Sequence, residues 1–143
     1  VLQSISVAVN NELKRAGDEF FRLGGEEFGI LLIGNEEPQA AEDFIAPGAW
    51  VSHLVLAEFI WVMRSVYSLG ARELATAIVL LLNHEHLVLQ DAGTVRQALA
   101  AFRKKPSLSF SDCLILEIAR KAGHAPLGTF DSSLGKLPGV QKV

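Results

Sequence analysis

This chain of 143 residues is poor in several features that would mark particular classes of protein. Its one cysteine, Cys113, cannot form an internal disulfide, and a small buried residue is its simplest role. Apolar runs stay short of the roughly 18 residues that a membrane span requires, so we expect no membrane contact. The chain starts at Val1 without a basic leader segment, so a signal peptide is not indicated. We expect a cytoplasmic protein.

The charge balance is also modest. A net charge of −3 gives no general attraction for nucleic acid, so any such contact needs a local basic patch. Half of the residues are apolar and the mean hydropathy is +0.30, values that indicate a globular protein with a large buried fraction. The length suits one domain with a sizeable core.

The first 35 residues predict a helix followed by a β-hairpin. Residues 1–15 place apolar side chains at helical spacing, and Gly17 is a suitable end for that helix. Two apolar runs follow, at residues 19–23 and 28–33, and a short loop containing Gly24 and Gly25 joins them. This arrangement is typical of an antiparallel hairpin.

From residue 36 onward the pattern changes to strands that alternate with helices. Predicted strands cover residues 50–55, 87–89, 125–130 and 140–143. Predicted helices follow residue 55, cover residues 71–82, include residues 95–102 and begin near residue 110. This alternation predicts an α/β fold with a parallel sheet that is covered by helices on both faces.

Two aspartates stand at positions that such a sheet brings together. Asp112 lies in the first turn of a predicted helix, and Asp131 follows the strand at residues 125–130. Carboxyl ends of strands and helix N-termini converge on one crevice in an open parallel sheet, and paired carboxylates suit a hard cation such as Mg²⁺. The alternative is structural: Asp112 complements the helix dipole and Asp131 caps a turn.

Other candidates carry weaker signals. Glu58 has mainly apolar neighbours, and a buried carboxylate needs a partner or a metal. His84 and His86 could form a metal pair, but without a third ligand a solvated loop is the better interpretation. The basic run at residues 103–105 could touch an RNA backbone, although a solvated helix end is the simpler role. Trp61 fits either the core or a partner interface.

The hairpin segment resembles part of a known family. The residues are RAGD at 15–18, RLGGEEF at 22–28 and ILL at 30–32. They are similar to the central hairpin of GGDEF diguanylate cyclases in its GGEEF form. The resemblance covers only about residues 1–34, and most of the nucleotide and metal contacts of that family have no counterpart here. We therefore expect a packing hairpin with no nucleotide-binding residues and no cyclase activity.

Residues 36–143 resemble the PIN domain of VapC-type toxin ribonucleases. The matching segments are WVSHLVLAEFIWV at 50–62, Tyr67, FSDCLI at 110–115, TFD at 129–131 and LPGV at 137–140. The resemblance implies a metal-dependent ribonuclease in which Glu58, Asp112 and Asp131 hold Mg²⁺ or Mn²⁺. In that family the metals activate water for attack on an RNA phosphate.

One departure from the family pattern limits this expectation. The family begins with a strand that carries a central aspartate, and here the GGEEF hairpin stands in its place. The chain therefore resembles a fusion of a cyclase fragment with a truncated PIN domain, and we expect weak metal binding and weak or absent nuclease activity. The alternative is a non-catalytic module that forms homo-oligomers. RNA and an antitoxin-like protein are the other partners that the resemblance implies.

Overall fold

The computed structural model describes residue 43 and residues 45–143. By its internal contacts the chain divides into two units, Val1–Gln90 and Asp91–Val143. The helix and the hairpin predicted within residues 1–35 lie outside the described residues, and so does the proposed replacement of the first PIN strand by that hairpin.

The first unit contains two strands and two helices within the described residues. They are β1 (Ala49–Val51), α1 (His53–Ser65), α2 (Ala71–Leu82) and β2 (Leu87–Leu89). Strands β1 and β2 pair in parallel, with Trp50 opposite Val88. The prediction of a strand at residues 50–55 was wrong beyond Val51, because the hydroxyl of Ser52 caps α1 by accepting the backbone N–H of Val55 at 3.2 Å.

Helices α1 and α2 each bury one apolar stripe. Helix α1 buries Leu56, Phe59, Ile60, Val62 and Met63, whereas α2 buries Leu74, Ala75, Ala77 and Ile78. The predicted bounds of α2 are confirmed, since an apolar residue at every third or fourth position specifies a helix clearly. Trp50, however, is 48 % exposed, so the strand around it is not the fully buried strand that its sequence predicts.

The second unit also holds a pair of helices and a pair of strands. These are α3 (Ala92–Lys104), α4 (Phe110–Lys121), β3 (Leu127–Thr129) and β4 (Val140–Lys142), and a 3₁₀ helix covers Leu134–Lys136. Strands β3 and β4 pair in parallel, with Leu127 opposite Val140. The strand predicted at residues 125–130 is shorter because Pro126 has no N–H to donate and pairing starts after it.

Helix α3 packs against α4 around two aromatic rings. Phe102 and Phe110 meet edge to face with their ring centroids 6.1 Å apart, and both side chains are buried. Such pairs add about 1 kcal/mol to the burial of their area. Cys113, on α4, is fully buried, and burial raises the pKa of its thiol to about 11. Its predicted role as a small core residue is confirmed.

The α/β class with parallel strands is therefore confirmed for the part of the chain that the structure describes. The described strands form two separate two-stranded parallel sheets, however, and not the single sheet covered by helices on both faces that the alternating pattern predicts. Among the described helices, none combines the length and the apolar character that crossing a membrane requires.

Candidate metal centre

Asp112 belongs to the cap of α4. The hydroxyl of Ser109 accepts the backbone N–H of Asp112 at 3.0 Å and donates to Oδ2 of the same residue at 2.6 Å. This reciprocal arrangement resembles a capping box and satisfies a backbone group at the helix start. The structural role weighed for Asp112 is therefore real. It engages one carboxylate oxygen, and within the described residues Oδ1 makes no hydrogen bond.

Asp131 caps a turn, as the alternative interpretation proposed. Its Oδ1 accepts the backbone N–H groups of Ser133 and Leu134, each at 2.7 Å, and so holds the start of the 3₁₀ helix. These bonds hold the pKa of Asp131 below its usual value, with smaller contributions from the charges of Lys105 and Lys142. The carboxylate is exposed and ionised at neutral pH, and its Oδ2 has no hydrogen bond within the described part of the chain.

Glu58 is exposed, so the argument that burial forces it to take a partner was wrong. The buried stripe of α1 runs along the opposite side of the helix, and Glu58 shares its face with Leu54 and Trp61. Those two side chains are 79 % and 58 % exposed, so Trp61 is not a core residue. An exposed carboxylate needs no partner for stability, and Glu58 is available to a ligand.

The buried carboxylate of the described region is Glu117, which the sequence pattern did not predict as a site residue. Glu117 is 7 % exposed and pairs with the guanidinium of Arg120, at 2.5 Å between Nη1 and Oε1. The second arm of Arg120 donates to the carbonyl of Pro138. Gly139, with φ +77°, follows there, and a Cβ at that position would lie 3.2 Å from Nε of Arg120. The i, i+3 spacing on α4 was the signal for this pair.

The two histidines of the turn before β2 do not form the solvated loop that we predicted. His84 is buried, and its Nδ1 accepts the backbone N–H of His86 at 3.1 Å. His86 is half-buried, with Nε2 at 3.4 Å from Oε1 of Glu85. Because the Nδ1 lone pair of His84 already holds the turn, that nitrogen is not available to a metal.

The predicted basic run divides into two parts. Arg103 and Lys104 are exposed at the end of α3, as expected for a solvated helix end. Lys105 instead donates from Nζ to the carbonyl of Ser133 at 3.1 Å, and so reaches the loop that follows Asp131. Nothing in the local sequence pattern predicts this contact, because it joins residues 28 positions apart.

The donor chemistry of the predicted site fits a hard divalent cation. Asp112, Asp131 and Glu58 all offer carboxylate oxygens, the ligands that Mg²⁺ prefers. Within the part of the chain that the structure describes, no three His, Cys, Asp or Glu side chains form a group able to hold a metal ion. The convergence of Glu58, Asp112 and Asp131 on one ion stays a prediction.

Comparisons with known proteins give one result. A family model described as PIN domain matches residues 29–140, which are 112 of the 143 residues. No curated protein matches the chain, and no solved structure does. The match covers all four described strands up to Val140 and includes Glu58, Asp112 and Asp131. PIN domains are generally nucleases that depend on divalent metals. The chain therefore belongs to the PIN domain family.

Proposed function

We propose that this chain is a weak metal-dependent ribonuclease of the VapC-toxin type. The observation that carries the proposal is the family match over residues 29–140, which indicates a nuclease-type function. The segments around Glu58, Asp112 and Asp131, which resemble VapC toxins in particular, support the narrower assignment.

Glu58, Asp112 and Asp131 are the proposed ligands of Mg²⁺ or Mn²⁺. When bound, the metal supplies an activated water and offsets the negative charge of an RNA phosphate. The protein contributes fixed ligands. Asp112 is held by Ser109 and Asp131 by two backbone N–H groups, so neither carboxylate loses much rotamer freedom when its second oxygen takes a ligand.

Two features support weak metal binding. By its resemblance to the family, the chain lacks the central aspartate of the first strand, and a Mg²⁺ site with few direct carboxylates cannot easily lose one. Lys105 and Lys142 also lie close enough to Asp131 to act on its charge. Their ammonium groups repel a divalent cation at the same place.

A cleavage assay tests the proposal. The intact chain should cleave single-stranded RNA slowly with millimolar Mn²⁺ and not with EDTA, and Asp112→Asn should abolish the cleavage. Ser109→Ala is the matched control, because it removes the hydroxyl that holds Asp112 but leaves the carboxylate in place. Equal loss in both variants would assign Asp112 to the helix cap alone. No cleavage by the intact chain would favour the non-catalytic alternative.

That alternative, an interaction module without catalysis, is favoured by the exposed apolar face of α1. Leu54 and Trp61 are 79 % and 58 % exposed, and such residues are enriched at protein interfaces. On this proposal the chain forms homo-oligomers, or meets an antitoxin-like protein, and the GGDEF-like segment at residues 1–35 serves packing with no cyclase activity. Light scattering at tens of micromolar protein tests self-association, and a monomer there would exclude the homo-oligomer.

A further inference from the structure

Lys105 and Lys142 reach the same short loop from different elements. Lys105, in the connection between α3 and α4, donates from Nζ to the carbonyl of Ser133 at 3.1 Å. Lys142, on β4, donates from Nζ to Oγ of Ser132 at 2.8 Å. The backbone passes closely here, since a Cβ on Gly135 would lie 3.1 Å from Cβ of Lys142. Two ammonium groups therefore flank the segment that follows Asp131.

The charge of this loop is positive even with Asp131 ionised. Two lysines oppose one carboxylate, which leaves a local charge of about +1. An ammonium has three N–H donors, and each lysine uses one of them on the loop, so further donors face solvent. A site of this kind suits an anion with several oxygen atoms, such as a phosphate.

The charge of the wider unit points the same way. Residues 91–143 carry eight lysines and arginines against four aspartates and glutamates, a net charge of +4. Residues 1–90 carry five against twelve, a net charge of −7. Arg120 and Lys121 are paired with carboxylates, so the positive charge of the second unit is carried mainly by the other six. The overall charge of −3 conceals a basic segment.

We infer that Lys105 and Lys142 form a two-lysine contact for the phosphate backbone of single-stranded RNA beside Asp131. The inference rests on the proposed function for the identity of the nucleic acid. The lysines bind and orient the strand through its phosphates, so the contact carries no base preference. Binding through it does not require the metal.

The test is a salt titration of RNA binding in EDTA, where no cleavage occurs, followed by fluorescence anisotropy. The logarithm of the RNA association constant falls linearly with the logarithm of the salt concentration. Removing one phosphate contact on a single strand makes this slope shallower by about 0.7. Lys105→Gln and Lys142→Gln should each show this loss, and the double variant about 1.4. Lys105→Arg and Lys142→Arg should retain the slope of the intact chain. Lys104→Gln is the control, since it removes the same charge from the exposed end of α3.

Equal slopes for all three glutamine variants, or no binding of RNA by the intact chain, would overturn the inference. Thermal unfolding separates a structural role, because loss of binding together with a lowered melting temperature in the arginine variants would assign the lysines to folding. The proposed function fails separately. RNA binding that depends on the lysines, without cleavage, would contradict the proposed ribonuclease and support the two-lysine contact. Metal-dependent cleavage with unchanged salt slopes in the lysine variants would support the ribonuclease and contradict the contact.

Discussion

Helices α1 and α4 begin with the same type of cap, but each carries a glutamate whose exposure to solvent is opposite to that of the other. Each starts at a serine whose hydroxyl accepts a backbone N–H of the first turn, Ser52 in α1 and Ser109 in α4. Glu58 of α1 is exposed, whereas Glu117 of α4 is 7 % exposed. Both helices bury one apolar stripe; Glu117 lies on the buried side of α4, and Glu58 lies on the exposed side of α1.

The residue one turn further along the helix accounts for this difference. Glu117 has Arg120 at i+3, and the guanidinium neutralises the carboxylate as it leaves water. Glu58 has Trp61 at i+3 and Val62 at i+4, neither of which can neutralise it. In these two helices, the glutamate with a cation one turn away is buried in an ion pair, and the glutamate without one is exposed.

Of the changes considered, removing the positive charge of Arg120 should have the largest effect on stability. Arg120→Met leaves the buried carboxylate of Glu117 unpaired, and we expect the free energy of unfolding to fall by about 3 kcal/mol. Urea unfolding measures it. Arg96→Met, at an exposed position of α3, should change it by no more than about 0.5 kcal/mol. Equal effects in the two variants would show that the pair in α4 is not a stabilising one.

Neutralising the exposed glutamate should give the opposite outcome. Glu58→Gln should reduce Mn²⁺-dependent RNA cleavage by about 100-fold, because mutating even a residue that only supports a metal ligand lowers activity about 10- to 100-fold. The free energy of unfolding should change by no more than about 0.5 kcal/mol. Glu73→Gln, exposed at the start of α2, serves as the control for the loss of one negative charge. Unchanged cleavage combined with lowered stability would make Glu58 a structural residue.

The two serine caps offer a smaller test. The Ser109 hydroxyl makes two hydrogen bonds with Asp112, whereas that of Ser52 accepts one from Val55. Ser109→Ala should cost about 1 kcal/mol of unfolding free energy, and Ser52→Ala less than that. Chemical denaturation of both variants decides the order. A greater cost for Ser52→Ala would contradict the description of Asp112 as part of the cap.

The charged cap of α3 should show its effect only in acid. Hydrogen bonds from Lys121 and Thr94 lower the pKa of Asp91 from 3.8 to about 2. Because the folded value is the lower one, the ionised Asp91 stabilises the fold above pH 3.8, and this contribution is lost as the pH falls towards 2. Asp91→Asn should flatten that part of the acid-unfolding curve, measured by circular dichroism. An unchanged curve would contradict the shift.

Much of the described fold could be predicted because its helices carry regular apolar spacing. Helix α2 appears with the predicted bounds, and the alternation of strands and helices correctly indicated parallel pairing. The strand before α1 was predicted too long because Leu54 and Val55 are apolar residues that suit a strand as well as a helix. The cap signal at Ser52 was present and distinguishes them.

The candidate site was less predictable because its contacts join distant residues. The turn-capping role of Asp131 follows from local sequence, and so does the place of Asp112 in a first helical turn. The burial of Glu117 in place of Glu58 depends on which helix face meets the core, and the reach of Lys142 to Ser132 depends on how β4 returns beside β3. Arg120 at i+3 signals the ion pair of Glu117, but composition and spacing along the chain do not determine which helix face is buried or where β4 lies.

The central claim is that Glu58, Asp112 and Asp131 serve one divalent metal, and a crystal structure of the intact chain soaked in Mn²⁺ tests it most directly. The anomalous signal of Mn²⁺ identifies the ion independently of the protein atoms. The proposed function predicts a single Mn²⁺ with oxygen ligands from all three carboxylates. An ion bound elsewhere, or any of the three carboxylates on a different face from the other two, would contradict it.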